Sequence, residues 1–190
     1  MTTSQTTASP DPGPQSVIRF WFEESTPQQW FTKDLTFDET IRSRFGNLLV
    51  QASRGELWSW RTDALGRLAE IIVLDQFSRN AYRDTPQAFA QDPVALVLSQ
   101  EVIQLGLDAQ LTPEQRAFAY MPLMHSESRL VQQESVRQFT ALGNPNNLDF
   151  AQRHQDIIER FGRYPHRNAI LARASTPEEI AFLQTPGSSF

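Results

Sequence analysis

An all-α fold built as an antiparallel bundle of stacked helix pairs is predicted by three observations. Apolar residues recur at three- and four-residue steps along most of the chain. Thr-Pro and Asp-Pro starts are answered by Gly stops at helix-length intervals. No segment shows the period-two alternation of a half-buried strand, so no sheet is expected.

Taken in order, Met1 to Gln15 is rich in Ser, Thr and Pro, with neither a basic start nor an apolar block, and reads as a disordered tail before one domain over 16–190. Ser16 is placed to cap a short helix through Val17, Ile18, Phe20, Trp21 and Phe22, and Thr26-Pro27 opens a turn ending at Trp30-Phe31. This aromatic block either packs on the body as a lid or contacts a partner. A long helix runs from about Asp34 to Ser53 on Phe37, Ile41, Phe45, Leu48 and Ala52, with Gly55 after it. Trp58 and Trp60 lie in a loop. The helix starting near Thr62-Asp63 is apolar almost all round through Leu68, Ile71, Ile72, Val73 and Leu74, as a central helix covered by neighbours should be. Further starts fall at Thr85-Pro86, Asp92-Pro93 and Thr112-Pro113. Ser126 or Ser128 begins a helix to about Leu142, Gly143-Asn144-Pro145 turns the chain, a helix through His154 stops at Gly162, and Thr176-Pro177 starts the last one. Short connections between such helices make sequential neighbours antiparallel.

Composition limits the functions. With 190 residues the chain can bury a core without staples, and with no Cys it has no disulfide, thiolate metal site or cysteine nucleophile, which fits the cytoplasm. A net charge of -5 argues against nucleic acid, and the longest aliphatic run, Ile71 to Leu74, is too short for a membrane helix, so a soluble protein is expected. All but one of the 17 basic residues are Arg, the exception being Lys33. No glycine-rich phosphate loop, nucleophile elbow or zinc-helix motif occurs, so no cofactor and no metal are expected.

Three polar stretches break this pattern: Leu74-Asp75-Gln76-Phe77-Ser78-Arg79-Asn80, Pro122-Leu123-Met124-His125-Ser126-Glu127 and Gly162-Arg163-Tyr164-Pro165-His166-Arg167-Asn168. Packed helices do not need such groups at the ends of their apolar runs, because each must find a partner or stay wet. Asp75, Arg79 and Arg83 are spaced to stack as a carboxylate and guanidinium ladder, with Gln76 and Asn80 as further donors. Ser126 and Glu127 suit a helix start, which leaves His125 as a core imidazole, an acid-base group or a ligand. Arg163, His166 and Arg167 would stand beside the N-H groups of a new helix, an arrangement that holds carboxylates and phosphates. Spacing leaves two outcomes open, a site or a network that locks the bundle.

These motifs, with His154 and Ser175-Thr176-Pro177-Glu178-Glu179, resemble the bacterial family called domain of unknown function 924 over about Val17 to Leu183. The resemblance implies a tetratricopeptide-like stack of helix pairs with a concave face, and no reaction. Ser78 stands where the family usually has Pro, Tyr164 where it has Phe and Ala172 where it has Gly; the first change removes the usual cause of a kink in the central helix. The expected function is binding of a small anionic molecule, phosphate or carboxylate, by Gln76, Arg79, Asn80, Arg163, His166, Arg167 and Asn168, with Asp75, His125 and Glu127 as candidates for proton transfer should the protein be an enzyme. The alternative is a non-catalytic scaffold for a peptide or protein partner; a homo-oligomer is compatible with either.

Overall fold

The computed structural model describes residues 12–189, so the expectation for residues 1–11 lies outside the described residues. Helix α1 (Pro14–Arg19) starts inside the stretch read as tail, because Pro14 supplies the preset φ of a first helical position. Ser16 is not its cap: the hydroxyl instead donates to the Gly13 carbonyl, 2.9 Å away. The helix widens into a π turn over Phe20–Glu24, closed by Ser25 Oγ donating to the Phe20 carbonyl at 2.7 Å. Helix α2 (Pro27–Phe31) carries a capping box between Thr26 and Gln29, and Trp30 Nε1 donates to the Trp21 carbonyl at 3.0 Å.

These contacts turn the aromatic block inward. Phe20 and Trp21 are buried, and with Phe37, Phe45, Phe77 and Phe118 they form a set of rings 4.8–6.1 Å apart. Edge and offset contacts of this kind dominate a core because each ring removes so much apolar area from water. Of the block, Phe31 alone stays largely outside, 70 % exposed, so most of the aromatics pack as a lid on the core.

Asp34 caps α3 (Leu35–Ser53) by accepting from the Thr36 and Phe37 amides, and the face carrying Phe37, Ile41, Phe45 and Leu48 is buried as the spacing predicts. A 3₁₀ turn at Trp58–Trp60 brings the Trp60 carbonyl against Gly66, where an added Cβ would lie 1.9 Å from that oxygen. Gly66 is thus required by backbone approach. The central helix follows as α4 (Ala64–Ile72), a π turn at Val73–Phe77 and α5 (Ser78–Ala81) in one unbroken run. It departs from α geometry without the family's Pro. Ser78 Oγ reaches back 3.4 Å to the Val73 carbonyl, one of the groups that the wider turn displaces.

Helices α6 (Asp92–Gln104) and α7 (Pro113–Met124) cover the central helix, and α8 (Arg129–Leu142) and α9 (Pro145–Phe161) stack on α7 in turn. The expected stops Gly143 and Gly162 both have positive φ, 78° and 71°. Helix α7 continues through Pro122 to Met124, and Ser128 rather than Ser126 caps α8. The chain closes with α10 (Pro177–Phe182), whose capping box joins Thr176 and Glu179. No strand occurs among the described residues, and the all-α prediction holds.

Ala172, at the position where Gly was expected, has φ 53°. An L side chain in the left-handed region is strained by about 1–2 kcal/mol, partly offset in a Gly variant by the greater freedom of the unfolded chain. Ala172→Gly is therefore expected to stabilise the fold by about 0.5–1 kcal/mol, seen as a higher urea midpoint at unchanged slope. An equal or lower midpoint would show that the strain is relieved elsewhere.

Candidate functional site

The π turn decides where the polar groups of the central helix go. Asp75 lies within it, fully buried, and a lone carboxylate there would cost several kcal/mol. Three donors meet it: His125 Nδ1 and Arg79 Nη1, each 2.8 Å from Oδ1, and Gln76 Nε2, 2.6 Å from Oδ2. Arg79 Nη1 is also 2.8 Å from the Asp75 carbonyl. Burial alone would push the Asp75 carboxyl up, but Arg79 and His125 outweigh it and hold the group well below the usual carboxylate range. His125 moves down as well, because burial and the Arg79 charge disfavour the imidazolium more than Asp75 favours it. At neutral pH the pair is an ionised Asp beside a neutral His.

Arg79 extends the network to α6. Its guanidinium lies 3.0 Å from both oxygens of Asp92, and Arg167 Nη1 lies 3.1 Å from Asp92 Oδ2. Two cations thus share the Asp92 carboxylate. Arg167 is buried between the rings of Phe89 and Tyr164, 4.6 Å from each centroid, and its Nε is buried with no hydrogen-bond partner. Burial and the neighbouring Arg79 lower its pKa, the mark of a cation short of counter-charge. Asp92 and Arg167 border an open cleft of ≈ 320 Å³ whose walls also include Phe89, His125, Ser126 and Glu127, with Pro86, Pro93, Leu96, Pro122 and Leu171 completing an otherwise apolar lining.

The third polar stretch contributes Arg167 to this wall, with the buried Tyr164 ring packed behind it. Glu127 accepts from the Tyr164 amide at 2.8 Å and pairs with Arg173 at 2.7 and 2.9 Å. Burial pushes the Glu127 carboxyl up, but Arg173, the Tyr164 amide and the Arg167 charge together hold it below the usual carboxylate range, so it stays ionised. All three histidines gather here, with ring centroids 6.4 Å apart for His125 and His154, 5.6 Å for His154 and Tyr164, and 5.5 Å for Tyr164 and His166.

Several expected site residues belong elsewhere. The ladder from Asp75 stops at Arg79, because the helix ends at Ala81; Arg83 turns instead to Asp38 of α3, at 2.6 and 2.8 Å. Asn80 donates to the same Asp38 at 2.8 Å and so leaves the cleft. Arg163 is bound to Glu179 at 2.6 and 2.8 Å, and Asn168 donates to Ser175 and Glu179, tying the Pro turn to α10. No α-helix starts between Gly162 and Asn168: Pro165–Arg167 is a single 3₁₀ turn, so the expected helix N-terminus beside Arg163, His166 and Arg167 is not formed. The sequence reading missed Asp92, taken there as a helix start, and Arg173, which lies outside the three stretches. Among the described residues no group of three or more His, Asp or Glu is arranged to hold a metal ion, and no helix is long and apolar enough to cross a membrane.

Residues 17–187 match the family described as "Bacterial protein of unknown function (DUF924)". A solved structure of a protein of unknown function from Agrobacterium tumefaciens is 38% identical to the chain; the alignment covers 90% of this chain and 96% of that one, with a TM-score of 0.86. No curated protein matches the chain.

The buried histidines set an acid limit on stability. Burial lowers His154 to about 3, helped by His125, and lowers His166 to about 4, helped by Arg167. Glu127 acts on His166 in the opposite sense and does not reverse the shift. Between these values and an unfolded pKa near 6.5 the unfolded chain binds more protons, so stability is complete above about pH 6.5 and falls as pH drops below it. The loss at pH 5 is expected to be about 2 kcal/mol for each of these two histidines. Urea titrations at pH 7, 6 and 5 should show a falling midpoint, and His154→Gln should flatten that fall; a midpoint constant over this range would contradict the burial of neutral imidazoles.

Proposed function

The chain belongs to the DUF924 family, whose description assigns no reaction, and on the geometry of the cleft we propose that it binds a small molecule through one anionic group held by Arg167. The observation that carries this reading is the state of that guanidinium. It lies over the rings of Phe89 and Tyr164 at the cleft wall, shares Asp92 with Arg79, and has a buried Nε without a partner. A planar, permanently charged fork held this way is suited to a carboxylate or phosphate oxygen. Arg79 sits behind it as a second positive charge, fixed by Asp75 and Asp92.

The other lining groups narrow the ligand. Asp92 and Glu127 also border the cleft, so a dianion would meet more repulsion than a monoanion. Phe89, Leu96, Pro122 and Leu171 offer an apolar wall to the rest of the molecule. A monocarboxylate with an apolar body satisfies both features better than free phosphate. The rival reading as a protein scaffold draws less support, because the aromatic block that would have formed its contact is largely spent in the core.

Sodium benzoate and inorganic phosphate, titrated at matched ionic strength, provide the test by thermal shift. Benzoate is expected to raise the melting temperature saturably and more than phosphate does. Arg167→Lys, which keeps the charge but loses the fork and the stacking, should weaken benzoate binding by about 10- to 100-fold with the helical content intact. No saturable response to either anion, or an unchanged response in this variant, removes the anion site.

A further inference from the structure

His125 differs from the other two histidines in its surroundings: it lines the cleft, and its inner nitrogen is bound to a buried carboxylate. Asp75 already takes Arg79 on the same oxygen and Gln76 on the other. An ionised carboxylate can only accept, so the 2.8 Å contact requires Nδ1 to carry the proton. In a neutral ring that leaves the lone pair on Nε2.

The backbone that carries this ring is braced from both sides. Gln132 Nε2, fully buried on α8, lies 2.8 Å from the Met124 carbonyl and 2.7 Å from the Ser126 carbonyl, the residues immediately before and after His125. Tyr164 Oη donates to the Met124 carbonyl at 2.5 Å. Three separate segments therefore hold one imidazole in one orientation. A ring needed only for packing does not require a charged orienting partner at full burial, where that partner costs several kcal/mol to keep ionised.

We propose that His125 is a general base that takes a proton from the cleft's ligand, or from a water held beside it, with Asp75 as its positioning residue. The proton leaves an O-H, N-H or acidified C-H bond, the bonding electrons stay on the ligand or water, and Nε2 gains the proton. The resulting imidazolium is stabilised by Asp75 through Nδ1. The charged and titratable groups around the ring are Asp75 and Arg79 of the central helix, Asp92 of α6, His154 of α9 and His166 of the Pro turn. This step rests on the cleft being a ligand site, but the state of the base can be measured without any ligand.

Nitrogen-15 NMR of the unaltered protein at pH 7 is expected to show His125 neutral, with Nδ1 protonated and Nε2 bare. Diethyl pyrocarbonate, mapped by mass spectrometry, should modify His125 faster than His154 or His166. In Asp75→Asn the amide can donate to Nδ1 and move the proton to Nε2, so carbethoxylation of His125 should fall at least about tenfold. Helical content measured by circular dichroism checks that this variant folds, and the NMR result stands without it. A proton on Nε2, an imidazolium at pH 7, or unchanged reactivity in a folded Asp75→Asn variant overturns the proposal. Those outcomes leave the benzoate response of Arg167 untouched, and loss of that response leaves the tautomer untouched, so the two readings fail separately.

Discussion

A single ionised carboxylate, Asp75, at full burial is the constraint on which the rest of the structure depends. Water is excluded, so its charge must be answered by protein donors, and the wider turn of the central helix places it where His125 from the end of α7 and Arg79 from the next turn converge. Arg79 in turn needs Asp92, Asp92 attracts Arg167, and Arg167 is stacked on Tyr164 and Phe89. Four segments remote in sequence are thereby drawn to one place. Removing one member of such a chain leaves another buried charge unanswered, a loss of about 3–5 kcal/mol, and this couples the cleft to the packing of the bundle.

The same side-chain chemistry occurs elsewhere with a different outcome. Asp38 is buried and takes Arg83 twice and Asn80 once, which fastens the end of the central helix to α3. Glu179 takes Arg163 twice and fastens the Pro turn to α10. In both cases the carboxylate has its own guanidinium, which makes these contacts locks. Around the cleft the carboxylate of Asp92 is shared by two guanidinium groups, and one of those retains an unpaired donor. The locking outcome is thus met at Asp38 and Glu179, and the proposed site falls to the residues of the same motifs that remain around Asp92.

Much of the architecture was legible in the chain because it rests on local rules. Asp34, Asp63, Thr112 and Thr176 announce helix starts by short-range bonds to the next turn, and Gly143 and Gly162 announce stops by the left-handed backbone they adopt. The site was legible only in part. Asp75, Gln76, Arg79, His125, Glu127, His166 and Arg167 do gather, but a period of 3.6 residues cannot foretell a π turn, and that turn together with the helix end at Ala81 sends Asn80 and Arg83 toward α3. Asp92 was hidden by its other role at the start of α6. Arg173 gave no signal, since its partner Glu127 is 46 residues away in the chain.

The family differences become physical at this point. Tyr164, where the resemblance implies Phe, adds one hydroxyl in the core, where an unpaired one would be costly; here it donates to the Met124 carbonyl. That bond links the Pro turn to the backbone beside His125, while the ring face of Tyr164 supports Arg167. Ser78, where the resemblance implies Pro, follows the π turn with its hydroxyl directed at the Val73 carbonyl. The widened turn therefore follows from the packing around Asp75 and not from proline sterics. An imidazole and a stacked guanidinium brought to one cleft by one buried carboxylate is the arrangement that the proposed binding and proton transfer on a single molecule would need.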